Sequence, residues 1–256
     1  MSIHATAVID PKAELGRDVV IGPYCVVGPE VVIGDECWLQ NHVTVCGPVK
    51  IGQKNRFHAG CSIGQQTQDL KYAGEPTYLE IGNGNCFREF VTVNRATAAG
   101  AKTVVGNRGN FLAYSHIAHD CVVGDEVIFS NNGTLAGHVV VQDHALIGGL
   151  TAVHQFCRLG RYAITGGCSK IVQDVPPFLI ADGNPAEIRG VNVVGLERHG
   201  FTAETIRTLK EAYRILYRSD LNTKQALQEL EKSFGDSAEV RELIAFIESS
   251  QRGIIR

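Results

Sequence analysis

Glycine recurs along this chain on a count of six. It stands at positions 16, 22, 28, 34, 52, 64, 82, 106, 124, 148, 160 and 166, each leaving remainder four on division by six. An aliphatic residue precedes each one, as in Leu15, Ile21, Val27 and Ile33, with Thr165 the exception. Where the glycine is missing the apolar residue usually persists, as in Leu39, Val45, Phe57, Ile117, Phe129 and Leu135. Two positions before the aliphatic lies a small or medium residue, such as Val19, Cys25, Val31 or Cys37. An α-helix cannot use this period, because residues six apart do not return to one face. Short strands joined by tight corners can, each unit pointing its large aliphatic inward. The glycine after it is expected to supply the backbone angles of the corner. One such unit buries nothing alone, so the units must stack into a parallel β-helix.

The phase also accounts for the cysteines. There are eight, with no C-x-x-C pair, and Cys25, Cys37, Cys61, Cys121 and Cys157 share the small inward position. A buried thiol there is a compact hydrophobe, and packing is a better reading than redox or metal chemistry.

Composition narrows the function classes. A formal net charge of -3 gives no footprint for nucleic acid or an anionic membrane. No apolar run reaches membrane-spanning length. The start, "MSIHATAVIDPKAELG", lacks a basic segment followed by an apolar one, so a cytoplasmic protein is expected.

Two stretches interrupt the count. "QQTQDLKYAGEPTYLE", residues 65–80, reads as a loop whose length matches one eighteen-residue coil, and "RATAAGAKT", residues 95–103, as a shorter one. Loops on a rigid solenoid often carry binding function. After "QDVPPFLIADGNPAEIRG" the count stops. Helical spacing follows, with Thr202 as N-cap and Ile206, Leu209, Tyr213 and Leu216 on one face. Two further helices are expected around Leu227, Leu230 and Phe234, then Val240, Leu243, Ile244 and Ile247. The expected organisation is residues 1–190 as the β-helix and residues 191–256 as a small α-helical domain capping its open end.

The order aliphatic, glycine, two variable residues, small residue resembles that of the hexapeptide-repeat acyltransferases. The resemblance implies a mainly β fold, a triangular left-handed parallel β-helix with three units, or eighteen residues, per coil. Repeats from about residue 5 to about residue 185 then make roughly ten coils, a prism on the order of 50 Å long at the usual strand spacing.

Eighteen residues per coil orders one polar stretch, "YSHIAHDCVVG", residues 114–124. His119 lies in register with Gly137 and then Gln155, and Asp120 with His138. His119 and Asp120 fall near a corner and face outward. An outward polar residue is ordinarily just solvated, but His119, Asp120 and His138 on adjacent coils beside a glycine N–H suit acyl transfer to a hydroxyl. His119 would act as general base, oriented by Asp120. The Gly137 N–H would meet the oxyanion of the tetrahedral intermediate. No serine or cysteine nucleophile is arranged with a base to activate it, so direct transfer fits better than a covalent enzyme intermediate. Zinc is the rival, as in the β-helical carbonic anhydrases that share this repeat. His116, His144 and His154 supply no obvious third ligand on one chain, so the base is preferred and no metal is expected. A non-catalytic scaffold would leave the shared corner unexplained.

Five stretches carry a closer resemblance: "QDLKYAGEPT" (68–77), "HIAHDC" (116–121), "LAGH" (135–138), "TAVHQF" (151–156) and "QDVPP" (173–177). They resemble the UDP-N-acetylglucosamine acyltransferases, and the similarity runs through the tail to "RGIIR". That family implies a homotrimer with active sites between neighbouring prisms. It implies transfer of an (R)-3-hydroxyacyl chain from acyl carrier protein to the 3-hydroxyl of UDP-N-acetylglucosamine, the first step of lipid A biosynthesis. A 3-amino acceptor is the variant. No cofactor is implied beyond the phosphopantetheine arm that carries the donor. By motif His119 matches the base, Asp120 its neighbour and Gly137 the oxyanion donor. Asp69, Lys71, His116, His138 and Gln155 match substrate- or product-binding positions, and Asn192 and Arg198 match residues near the nucleotide. Gly167 falls where the family gauges acyl length, a glycine there implying room for a longer chain.

Overall fold

The computed structural model describes all 256 residues. Up to Ile171, outside the two loops, each six-residue unit forms a strand of two to four residues. The strands stack in parallel into three sheets, the faces of a triangular prism wound as a left-handed β-helix. Face A begins with Ser2–Ile3 and Val20–Ile21, face B with Val8–Ile9 and Val26–Val27, and face C with Glu14–Leu15 and Val31–Ile33. The ordinary register is eighteen, as in Val20 opposite Trp38. Inward side chains fill the prism: Phe57, Phe87 and Phe111 stack at centroid separations of 4.9 and 4.8 Å, and Val19, Cys25, Cys37, Cys61, Cys121 and Cys157 are buried.

The repeated glycines do a different job from the one expected of them. Left-handed backbone falls two residues later, on Asp18, Tyr24, Asp120 and His138 among others, with φ of 56°, 58°, 60° and 61°. Each such non-glycine residue costs roughly 1 kcal/mol, which the stacked coil must offset. Gly64 alone among the repeat glycines takes left-handed backbone, with φ of 75°, and most of the others are required by the coil above instead. A Cβ on Gly22 would lie 1.4 Å from the Gln40 carbonyl oxygen, and one on Gly106 would lie 2.7 Å from the Gly124 carbonyl.

The two loops also differ from expectation in length. Ile81 pairs with Ile51, thirty residues away instead of eighteen, so the first loop inserts twelve residues. Val105 pairs with Ile81 at twenty-four, so the second inserts six. Both are whole multiples of the repeat, which is why the count survives them. Both leave the same corner, between faces B and C, on successive coils: the first follows strand Ser62–Gln65 and the second follows Thr92–Asn94. The amide of Asn94 donates to the Gln66 carbonyl at 2.7 Å and ties them together.

Beyond the last coil Leu179–Gly183 and Ala186–Val191 form an antiparallel hairpin on face A, an element absent from the sequence expectation. Four helices follow: α1 (Val193–Arg198), α2 (Ala203–Tyr217), α3 (Thr223–Phe234) and α4 (Ala238–Glu248). Thr202 accepts the Thr205 N–H as N-cap of α2, and Asn222 with Gln225 makes a capping box for α3. Ile206 and Leu209 of α2 join the solenoid core, while Leu216, Leu230, Val240 and Leu243 build a second core among the helices. Arg161 holds Glu242 of α4 at 3.0 Å, and the Ile255 N–H donates to the Asp174 carbonyl at 2.9 Å, bringing the tail over the last coil. No helix is long and apolar enough to cross a membrane.

Candidate active site

The corner between faces B and C carries the loops low on the prism and, above them, His119, Asp120, Gly137 and His138. At the corner between faces C and A the N–H groups are capped from the coil above, Asp125 Oδ1 accepting from Asn107 N and Asp143 Oδ1 from Asp125 N, both at 2.8 Å. The equivalent residue at the B–C corner is Gly137, whose N–H donates to no group of the chain. Glycine there also removes the obstacle to the ring beneath it, for a Cβ would fall 2.3 Å from His119 Cε1 and 2.6 Å from Nε2.

His119 is held from its other side. Its Nδ1 lies 2.8 Å from Asp120 Oδ2 and 3.0 Å from Thr97 Oγ1. The side chains of His119 and Asp120 are only 13% and 10% exposed, against 37% for His138. His138 Nε2 stands 3.7 Å from the same carboxylate oxygen. A carboxylate only accepts hydrogen bonds, so Nδ1 carries the proton and Nε2 is left basic. Nε2 faces a groove of about 520 Å³ along face B. His116, Gly137, Ala152, Gln155 and Lys170 line it, and Gln68 reaches it from the first loop. His116 is held at Nδ1, 2.7 Å from Thr92 Oγ1. Burial pushes its pKa below the ordinary value, with the nearby His119 adding to the effect. The arrangement offers a base, a free N–H donor and an elongated groove with apolar walls, the parts that acyl transfer requires.

Of the residues singled out in the sequence, His116, His119, Gly137 and Gln155 share this groove, with Asp120 and His138 behind its corner. Asp69 and Lys71 do not line it within one chain: they lie on the first loop, where Asp69 Oδ1 accepts the Lys71 N–H at 2.9 Å and Lys71 is exposed. Asn192 and Arg198 lie elsewhere, in a groove of about 480 Å³ on face A with His144 and Tyr162. There the Asn192 side chain caps α1 and donates to the Tyr162 carbonyl at 2.9 Å, so much of its polarity serves the fold. Gly167 is exposed at the A–B corner, and a Cβ there would meet nothing nearer than the Gly149 carbonyl at 3.5 Å. The fold therefore places no demand for glycine at 167. Thr97 and Gln68 escaped the sequence reading, because only the paired corners of the two loops bring them to His119 and the groove.

The six-residue repeat, the helical cap and the imidazole–carboxylate corner define a hexapeptide-repeat β-helix protein. Residues 174–255 match the family described as Udp N-acetylglucosamine O-acyltransferase, domain 2. The chain is 49% identical to the acyl-[acyl-carrier-protein]–UDP-N-acetylglucosamine O-acyltransferase of Alkalilimnicola ehrlichii, with 99% of each chain covered. It is 48% identical, again over 99% of each, to the protein of that name from Herminiimonas arsenicoxydans. Among solved structures, the UDP-N-acetylglucosamine O-acyltransferase of Moraxella catarrhalis RH4 superposes with a TM-score of 0.94 over 100% of both chains, at 44% identity. The chain belongs to the UDP-N-acetylglucosamine O-acyltransferase family.

Proposed function

We propose that this protein transfers an (R)-3-hydroxyacyl chain from acyl carrier protein to the 3-hydroxyl of UDP-N-acetylglucosamine, the first step of lipid A biosynthesis. The observation that carries the reading is the corner itself: a buried imidazole with Nδ1 on a carboxylate and Nε2 open to a groove, beside a free backbone N–H. Relatives of that name at nearly half identity over the full length support it.

His119 Nε2 removes the proton from the 3-hydroxyl as its oxygen attacks the thioester carbonyl, and the new C–O bond forms. The carbonyl oxygen becomes an oxyanion that accepts from the Gly137 N–H. Asp120 stabilises the imidazolium through Nδ1–H. Collapse breaks the C–S bond, and the imidazolium returns its proton to the departing phosphopantetheine thiolate. Ester and thiol are the products, and no cofactor beyond the carrier's arm takes part. His116, His138, Gln155, Asp69 and Lys71 bind substrate or product. Asn192 and Arg198 serve the nucleotide, and Gly167 marks the end of the acyl channel.

Assembly as a homotrimer is part of the proposal. Asn192 and Arg198 lie on face A and the groove on face B, so their use in one site requires a neighbouring prism. A cytoplasmic location follows from the two soluble substrates.

The test is transfer by purified protein supplied with UDP-N-acetylglucosamine and a panel of 3-hydroxyacyl carrier proteins, with products identified by mass. His119→Ala is expected to abolish transfer and leave the assembly intact; retained turnover removes the base assignment. A UDP-sugar bearing a 3-amino group, run in parallel, decides between ester and amide products. A zinc hydratase is the second reading, because the ligating atoms of His119, Asp120 and His138 lie within 4.8 Å of one another. Metal analysis decides it: one zinc per chain, with hydratase activity lost on chelation, would replace the transfer reading.

A further inference from the structure

We propose that Thr97 is a positioning residue for the transfer reaction, holding the His119 ring so that its Nδ1–H stays on Asp120 and Nε2 faces the groove. The inference rests on the reading of His119 as the base. Thr97 makes two kinds of contact with the pair. Its Oγ1 lies 3.0 Å from His119 Nδ1. Its backbone N–H donates to both carboxylate oxygens of Asp120, at 3.3 and 3.1 Å. One residue thus orients base and carboxylate together, and it comes from the second loop, outside the repeat.

The direction of the bonds follows from what each group can do. Asp120 Oδ2 only accepts, so the hydrogen belongs to His119 Nδ1 at 2.8 Å. Toward that N–H the Thr97 hydroxyl is a second acceptor, which frees its own hydrogen for Thr67 Oγ1 at 2.8 Å. Thr67 is 5% exposed and belongs to the first loop, where its Oγ1 also accepts the Asp69 N–H at 3.1 Å. The chain His119, Thr97, Thr67 therefore fastens both insertions to the base. Asp120 is anchored separately, its N–H donating to Thr103 Oγ1 at 2.9 Å. A threonine suits the task because its branched Cβ restricts χ1, so the hydroxyl is held in place before substrate arrives. When His119 takes a proton, Nδ1–H becomes part of a cation and its bonds to Thr97 and Asp120 strengthen. The contact is then worth more in the transition state than in the ground state, and its loss appears in kcat.

Thr97→Val keeps the volume and the backbone N–H and removes only the hydroxyl. We expect kcat to fall about ten- to a hundredfold, a displacement-sized effect, with KM nearly unchanged, and Thr97→Ser to recover most of the loss. Spectra of 15N-labelled histidine, assigned by comparison with His119→Ala, read the ring directly. The Nδ1–H form should dominate in both proteins, since Asp120 still accepts from it, and the Nδ1 resonance should shift and broaden in Thr97→Val as the ring loses its second acceptor. The titratable groups facing this ring are Asp120 at its own corner, His138 on the next coil and His116 on the strand before it, so spectra are compared at one pH. Unchanged turnover, or an unchanged His119 nitrogen spectrum, in Thr97→Val overturns the proposal. If the unaltered protein shows no transfer at all, the functional reading fails, and the spectrum alone decides the role of Thr97. Should Thr97→Val not fold, Thr97→Ala is read in the same two ways.

Discussion

Gly137 and His119 are packed face to face: a single methyl group on the glycine would sit 2.3 Å from Cε1 of the imidazole and 3.0 Å from Nδ1. The ring cannot retreat without giving up Asp120 at 2.8 Å or Thr97 at 3.0 Å. Gly137 does not adopt positive φ, so alanine meets no backbone penalty there. Gly137→Ala should therefore fold normally while moving the base, with kcat down about a hundredfold. The substitution retains the N–H, which separates the seat for the ring from the oxyanion donor. Turnover within a few-fold of the unaltered protein would show that the ring has freedom this packing denies.

Gly22 and Gly28 occupy the same position of consecutive repeats, yet the coil above treats them differently. A Cβ at 22 would overlap the Gln40 carbonyl oxygen at 1.4 Å, whereas at 28 the nearest atom is the Val45 carbonyl oxygen at 3.5 Å. Gly22→Ala should destabilise by about 3 kcal/mol or more through backbone displacement, and Gly28→Ala by less than about 0.5 kcal/mol. Denaturant melts of the two variants make the comparison. Equal losses would return these glycines to the conformational role expected from sequence.

That difference marks how far the sequence could be read. The repeat reports which residues point inward, and Val19, Cys25, Phe57 and Leu135 are buried as their phase requires. Insertions of twelve and six residues keep the phase, so His119 and Asp120 retain the corner position the count gives them, and the plain eighteen-residue register beyond both loops sets Asp120 beneath His138 and His119 beneath Gly137. The same invariance concealed the loops' corner, because a multiple of six leaves no trace in the register. Thr97 and Gln68 were therefore invisible as partners of the site. The hairpin was lost for another reason: Gly183 and Pro185 read as a boundary, although the alternation on either side, Leu179 and Ala181, then Ala186 and Ile188, is buried as strands would be. Asn192 carries a structural duty that its motif does not announce, since its buried amide caps α1 and donates to the Tyr162 carbonyl.

Acid should weaken the fold before carboxylates titrate. Burial is the leading cause that lowers the pKa of His58, His116 and His144 from an ordinary 6.5. As pH falls through that value the unfolded chain takes up protons first, so stability is full above about pH 6.5 and declines below it, toward the lowered folded values. His116→Gln keeps a polar group near Thr92 and removes one of the three proton sites. Melting temperatures between about pH 7 and pH 5 should fall less steeply in that variant. An identical slope would mean that His116 is charged or solvated in the folded protein.

Gly167, like Gly28 and unlike Gly22, is a glycine that nothing in the fold asks for. The nearest atom to a Cβ there is 3.5 Å away, the residue is exposed and its backbone is not left-handed. Gly167→Met should leave the melting temperature unchanged. If the acyl chain ends against this corner, the added side chain shortens the channel, and the longest donors accepted by the unaltered protein should lose at least about tenfold in kcat/KM for each methylene that no longer fits. Shorter 3-hydroxyacyl carrier proteins should be used as well as before or better. Competition assays with mixed donors, read by product mass, give the ratio directly. A chain-length profile that does not move would place the end of the channel elsewhere and leave Gly167 without a role in it.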